Sequence, residues 1–365
     1  MKILVGMPAK NSWGGPAASE PPFVDELRKC GIEVVEATYV YGDKETPTSF
    51  LSRAIRVIGT ALRFRKLLRQ DKYDLIQLNT AFDKKTVVRD AASLLLMNPR
   101  GSKIFLKVHG AAAHLISPRS WLFRPLIAML DKRVDGYGVF THEEVETFIP
   151  HGIDRSKFHI VKNIIDPGCA TENRERSQKE PGEEFKLLFV SRFISTKGLL
   201  ETIQACCIIR ERGVRFTLDC IGDGPIRHEA EDLCNELELS DVVRFTGYIP
   251  ESDVSGYFQR SDIFVFPTRH TEGFPIALFK AAVVGLPIVT TRVRAAAEYF
   301  EEPTNCLFCS DDPQSVAARI EELIGNKAMR ETMGLANREF AGLLTQEAVT
   351  QKYVSIYEQI LDDKG

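Results

Sequence analysis

Three stretches carry residues whose types and spacing point to chemistry. In Val190-Ser-Arg-Phe-Ile-Ser-Thr-Lys-Gly198, Arg192 and Lys197 stand just past an apolar run and just before a helical pattern. Two fixed cations beside a helix N-terminus, whose dipole also favours negative charge, suit a diphosphate; the alternative is a solvated charged loop. Residues 270–291 are mostly apolar, yet Glu272 opens the segment and Lys280 stands in its middle. A helical pattern there closes at Gly285 with Pro287 beyond it, so Glu272 falls in the preceding loop, where it faces a ligand and not a core. Lys280 has no comparable explanation: a cation early in a helix opposes the macrodipole, and the pattern promises it no burial. Between Pro8 and Pro16, Gly14-Gly15 follows the first strand, where backbone amides can approach an anion or simply form a turn.

Two other motifs fall short of the patterns they first suggest. Ile221-Gly-Asp-Gly-Pro225 begins like a dinucleotide fingerprint, but the third glycine's place is taken by Arg227, which weakens an NAD-linked dehydrogenase reading. Cys306-Leu-Phe-Cys309 supplies only half a tetrahedral metal site and has no second pair at zinc-ribbon distance. The eight cysteines lie mostly in apolar runs, as buried reduced thiols do, and not as a disulfide framework.

The elements that must position these residues follow one rhythm. Apolar runs at Lys2–Gly6, Glu33–Glu36, Asp74–Leu78, Lys103–Val108 and Gly136–Phe140 alternate with longer helical patterns, as in a parallel sheet covered on both faces. The rhythm breaks in a polar, Pro-Gly-bounded linker at 168–182 and restarts with Lys186–Val190, Arg215–Ile221, Val242–Thr246, Ile263–Pro267 and Pro287–Thr290. The prediction is an α/β chain of two doubly wound, Rossmann-like domains, 1–167 and 183–344, with a helix at 345–365 tying them together. At 365 residues two domains are the default, and ligands of such sheets bind beyond the carboxyl ends of strands, here in a cleft between the halves. A composition of 44% hydrophobic and 27% charged residues is that of a globular protein, and a net charge of -3 gives no global attraction for nucleic acid. The apolar run of residues 1–8 is too short for a signal peptide, and no run approaches about 18 apolar residues, so a cytoplasmic protein is expected.

Six motifs in order resemble the family 4 glycosyltransferases of the GT-B fold: Gly14-Gly15, Lys107-Val-His-Gly110, Asn163-Ile-Ile-Asp166, Ser191-Arg192 with Lys197-Gly198, Ile221-Gly-Asp-Gly-Pro225, and Glu272-Gly-Phe-Pro with Gly285-Leu-Pro287. The resemblance implies retaining transfer from a nucleotide-diphosphate sugar, without a metal or other cofactor, the amino-terminal half binding acceptor and the carboxyl-terminal half donor. It implies that Arg192 and Lys197 hold the leaving diphosphate, a task for fixed positive charge where negative charge develops. Gly15 would approach the distal phosphate, with Gly14 beside it. Glu272 would bind sugar hydroxyls with the backbone of Gly273, Phe274, Pro275 and Ile276 around it, and His109 would stand beside the transferred sugar. Gly222 and the loop of Gly247 and Tyr248 would frame the nucleotide.

The chain departs from that family in two places. A second glutamate usually lies eight residues after the first and grips the ribose hydroxyls, but here that position is Lys280. Losing a charged hydrogen-bond pair costs roughly 1.5–3 kcal/mol, or about 10- to 100-fold in donor affinity. A glycine-rich turn is likewise replaced by Arg294-Ala-Ala-Ala-Glu298. These changes keep open a non-catalytic or impaired nucleotide-sugar-binding protein and an epimerase of the same fold. On the acceptor side, residues 50–70 carry Arg53, Arg56, Arg63, Arg65, Lys66 and Arg69 with no acidic residue, among Leu, Ile and Phe at helical spacing. Such a helix either rests on anionic lipid at the inner face of a membrane, near a glycan or lipid-linked acceptor, or packs on its sheet with a solvated basic face.

Overall fold

A computed structural model describes residues 1–9, 15–39, 49–99, 101–110, 112–165 and 179–363; Gly14 and residues 168–178 of the expected linker lie outside them. The chain divides into two compact units, Met1–Ile164 with Gln346–Gly365, and Ile165–Thr345.

The first unit runs β1 (Lys2–Met7), α1 (Gly15–Lys29), β2 (Glu33–Thr38), α2 (Phe50–Gln70), β3 (Leu75–Thr80), α3 (Lys84–Met97), β4 (Lys103–Val108), α4 (Phe123–Asp131), β5 (Gly136–Val139), α5 (His142–Phe148) and β6 (Phe158–Ile160). The second runs β7 (Phe185–Val190), α6 (Leu199–Glu211), β8 (Phe216–Ile221), α7 (Arg227–Glu236), β9 (Val243–Gly247), α8 (Glu251–Arg260), β10 (Ile263–Phe266), α9 (Ile276–Val284), β11 (Ile288–Thr291), α10 (Ala295–Tyr299), β12 (Leu307–Cys309), α11 (Pro313–Gly325) and α12 (Lys327–Ala341). The chain then returns to the first unit as α13 (Gln346–Asp362), which packs on α1.

Each unit holds a six-stranded parallel sheet, ordered β2-β1-β3-β4-β5-β6 in the first and β12-β11-β10-β7-β8-β9 in the second. Strands buried on both faces explain the near-continuous apolar runs: Ile3, Leu4 and Val5 of β1, and Ile263, Phe264 and Val265 of β10, are fully buried. Helix boundaries have local causes. A reciprocal Asp83–Thr86 capping box starts α3, and Gly285 at φ 72° ends α9 where the sequence places its stop. Two strands were not expected, β6 and β12. Each has three residues at a sheet edge, too few to show a period.

The strand orders fix where loops part. Strand order reverses between β1 and β3 in the first sheet and between β7 and β10 in the second, so the loops leaving those strands diverge and open a crevice at their carboxyl ends.

Candidate functional site

The second sheet's crevice lies between the loops that follow β7 and β10, and those loops carry Arg192, Lys197 and Glu272. They are laced together through one acceptor. The Thr196 carbonyl takes hydrogen bonds from the backbone N–H of Arg269 (2.8 Å) and His270 (3.1 Å) and from the Thr268 hydroxyl (3.2 Å). Gly198 must be glycine: it holds φ 82°, and a Cβ there would lie 2.3 Å from the Pro267 carbonyl oxygen. Gly222, at φ 137°, and Gly224, where a Cβ would lie 2.3 Å from the Phe193 carbonyl oxygen, let the Arg192 turn approach the loop after β8, to which it bonds through Ser191 N to Ile221 O and Phe193 N to Asp223 O.

Within this frame the Lys197 ammonium is buried, 3% exposed, and ion-paired with Glu272 Oε1, and it lies 5.8 Å from the Phe266 ring centre. Burial lowers its pKa from the ordinary lysine value and the Arg192 charge adds to this, while Glu272 opposes both. Arg192 is exposed. Two residues expected to meet different parts of a ligand thus touch each other, and an ammonium with three donors can hold a carboxylate and still reach an anion. His270, half-buried, completes the group. Its pKa falls through burial first, then the charges of Lys197, Arg192 and Arg294, against a pull from Glu272.

Gly273 and Phe274 are buried, Phe274 stacks on Phe279 with ring centres 3.8 Å apart, and Pro275 leads into the first turn of α9 at Ile276. Lys280 overturns its expectation. It is 2% exposed, because the second turn of this short helix is enclosed on all sides, with Leu278, Phe279, Ala281 and Ala282 also buried. Gly247 holds φ 74° and Tyr248 is half-exposed beyond β9. Arg294 is buried and adopts φ 36°, the left-handed region that favours glycine. Cys306 and Cys309 are interior. Burial pushes the Cys309 thiol up to about 12 and Cys306 higher, which keeps both protonated. Among the described residues no group of three or more His, Cys, Asp or Glu is placed to hold a metal.

In the first unit Gly15 is the first residue of α1, and His109 follows β4. A buried polar network that spacing does not reveal surrounds His109. Lys107 Nζ donates to Glu20 Oε1 at 2.7 Å, Gln77 Nε2 donates to Glu20 Oε2 at 3.1 Å, and Tyr357 of α13 donates to Gln77 Oε1. His109 Nε2 lies 2.9 Å from Asn79 Oδ1 and 3.7 Å from Glu20 Oε1. One signal was present in the sequence: β3, Leu-Ile-Gln-Leu-Asn-Thr, places Gln77 and Asn79 on one face of an otherwise apolar strand. Burial, and secondarily the Lys107 charge, hold His109 well below the ordinary histidine pKa.

A depressed folded-state pKa means that the unfolded chain takes up the proton first as pH falls. The stability His109 contributes as a neutral ring is complete above the unfolded pKa of about 6.5 and is lost toward its lower folded value, at up to about 1.4 kcal/mol per pH unit. The urea midpoint of the first unit is expected to fall between pH 7 and 5, and to fall less in His109→Gln; equal slopes for both proteins would refute this.

Helix α2 buries Ala61 and Phe64, yet Leu51, Ile55, Ile58 and Leu62 on another face remain exposed, Leu51 at 71% and Ile55 at 65%. Their 51, 55, 58, 62 spacing is that of one helix face. Among the described residues, no helix is long and apolar enough to cross a membrane.

Both halves of the chain match known protein families. The family model described as Glycosyltransferase Family 4 matches residues 17–168, and that described as Glycosyl transferases group 1 matches 170–340. A putative colanic acid biosynthesis glycosyltransferase, WcaL of Salmonella typhimurium, is 29% identical over 198 residues, 52% of this chain and 49% of that protein. A GDP-mannose-dependent alpha-(1-6)-phosphatidylinositol monomannoside mannosyltransferase of Mycobacterium tuberculosis is 25% identical over 278 residues, 68% of this chain and 69% of that protein. The chain spans about half the length of the first of these relatives. Anabaena Alr3699/HepE, solved in complex with UDP-glucose, superposes with a TM-score of 0.75 at 16% identity over 98% of this chain and 100% of that one.

Proposed function

The chain belongs to the family 4 glycosyltransferases, with the GT-B fold, and from that premise we propose that it transfers a sugar from a nucleotide-diphosphate donor to a hydroxyl of a glycan or lipid-linked acceptor. The observation that carries this reading is the junction of Arg192, Lys197 and Glu272 at the switch point of the second sheet. A departing nucleoside diphosphate develops charge on its bridging oxygen, and two cations on glycine-pinned loops meet that charge without reorganising. Glu272 accepts hydrogen bonds from sugar hydroxyls, and the N-terminal amides of α9 meet the donor beside it. Retention follows if the acceptor hydroxyl attacks the face the diphosphate leaves. The donor class is supported by the UDP-glucose complex of HepE, and a role in surface polysaccharide or glycolipid synthesis by the names of WcaL and the mycobacterial mannosyltransferase.

The test is a thermal-shift screen of UDP-, GDP- and ADP-sugars followed by product analysis with wild-type protein and Arg192→Ala. One nucleotide is expected to raise the melting temperature, and Arg192→Ala to abolish turnover; unchanged melting with every nucleotide would overturn the reading. Burial of Lys280 at the position of the usual second glutamate favours a second reading, a nucleotide-sugar-binding protein without transfer. That reading holds if the donor binds and is neither hydrolysed nor transferred.

The α2 face fits a lipid-linked acceptor. Four exposed aliphatic residues, with cations and no carboxylates along the same helix, suit an anionic bilayer surface, where each nearby cation adds about 1 kcal/mol. The protein is expected to float with vesicles containing phosphatidylglycerol, and Ile55→Glu with Leu62→Glu to reduce the bound fraction about tenfold or more. Flotation equal for both proteins, or absent with anionic vesicles, would remove membrane contact.

A further inference from the structure

The side chain of Asn79 meets the His109 ring in the first unit. Asn79 Nδ2 donates to the Gly6 carbonyl at 2.9 Å, and the reverse orientation would set two carbonyl oxygens face to face. Oδ1 therefore points to His109 Nε2, 2.9 Å away. A carbonyl oxygen only accepts, so Nε2 carries the proton and Nδ1 the ring's lone pair. Asn79 is buried and His109 largely so, and the Asn79 backbone carbonyl is held by Arg89 Nη2 at 2.9 Å.

The charged groups around the ring, among the described residues, leave it neutral. Glu20 of α1, 3.7 Å from Nε2, would favour an imidazolium, but Lys107 of β4 stands 2.7 Å from the same carboxylate oxygen. Arg89 of α3 is paired with Asp90 at 2.7 Å. The Phe140 ring lies 5.5 Å from the imidazole, and the Phe140 N–H is taken by Glu144 of α5. Tyr357 of α13 spends its hydroxyl on Gln77.

We propose that Asn79 is a positioning residue that holds His109 as a neutral imidazole with its proton on Nε2, so that His109 serves transfer as a hydrogen-bond acceptor and not as a proton donor. This rests on the reading that His109 stands beside the transferred sugar. Whatever bonds Nδ1 must bring an O–H or N–H, so a neutral sugar hydroxyl fits there and a carboxylate does not.

The tautomer is measured on the full chain labelled with 15N-histidine, by long-range proton–nitrogen correlation from pH 8 to 5.5, with His109 assigned by its loss in His109→Gln. The wild-type ring is expected to show the Nε2–H pattern throughout. Asn79→Asp, which puts a carboxylate on Nε2, is expected to move the titration of His109 up by about one unit or more, a tenfold change in its protonation constant. An Nδ1–H pattern or a midpoint near 6.5 in the wild type would overturn the proposal, and that measurement needs no variant to fold. The donor found by thermal shift tests the link to transfer: the kcat of Asn79→Asp is expected to fall about tenfold from pH 8 to 6 while wild-type kcat holds, with KM for the nucleotide unchanged in both. Expected spectra with parallel kcat profiles would overturn the role of His109 in transfer and leave donor binding by Arg192 and Lys197 intact.

Discussion

Replacing Lys197 with methionine is expected to lower kcat/KM for sugar transfer about 10²- to 10³-fold, the usual cost of removing one fixed group that meets developing negative charge. Methionine keeps the length of the aliphatic stem and removes only the ammonium, which stands 5.8 Å from the Phe266 ring centre, so the loss reports charge more than packing. Stability falls as well, because the Glu272 oxygen that pairs with Lys197 is buried and loses its cation, so kcat/KM is measured below the variant's melting transition. Arginine is a poor substitute, since the pocket is enclosed and a planar guanidinium has a different shape from an ammonium. The pH profile adds an independent readout. Burial depresses the Lys197 pKa, so as pH rises the folded protein loses this proton before an ordinary lysine would. Wild-type activity is therefore expected to decline on the alkaline side below the ordinary lysine pKa of 10.5, and saturating donor, bringing its own negative charge, to move that limb upward. A methionine variant retaining more than about a tenth of wild-type kcat/KM would remove Lys197 from the machinery.

The placement of Arg192, Lys197 and Glu272 on loops after strands was legible in the sequence because the apolar runs before those loops are easy to read. The pairing of Lys197 with Glu272 was not, since it depends on the strand order that sets the β7 and β10 loops side by side. What escaped was everything that depends on pairing across long separations. Glu20 and Lys107 are 87 residues apart, and Gln77 and Tyr357 are 280 apart, so no local period announces either contact. Lys280 escaped for the opposite reason. The helix that holds it is apolar on every side, and a helical pattern marks which residues are interior only when one face is polar. The two three-residue edge strands fell below the length at which alternation shows. The α2 helix was foreseen from Phe50 to Gln70, but only the packing shows that Ala61 and Phe64 turn inward while a second apolar face stays in solvent.

Gly222→Ala is expected to destabilise the second unit by about 3–5 kcal/mol, through an unfavourable backbone conformation and a methyl group with nowhere to go. Gly222 holds φ 137°, and a Cβ built there would lie 1.8 Å from the Ser191 carbonyl oxygen and 3.1 Å from Phe193 Cε1. The obstacle is backbone, which cannot rotate aside, and it is the backbone that carries Arg192. Relief requires the turn after β7 to move from the loop after β8, breaking the bonds from Ser191 N to Ile221 O and from Gly222 N to Gly247 O. Gly213→Ala is the control: its φ is 82° but nothing lies within 4 Å, so only the conformational term applies, about 1–2 kcal/mol. For a unit of this size each kcal/mol lowers the melting temperature by about 2–4 °C, so Gly222→Ala is expected to melt roughly 10 °C lower and Gly213→Ala only a few degrees lower. Nucleotide affinity separates the two further. Gly213→Ala leaves the Arg192 turn in place and binds like the wild type, whereas Gly222→Ala displaces one cation and loses about tenfold or more even below its melting transition. Equal melting and equal nucleotide binding for the two variants would show that the glycine after β8 does not hold the cation after β7.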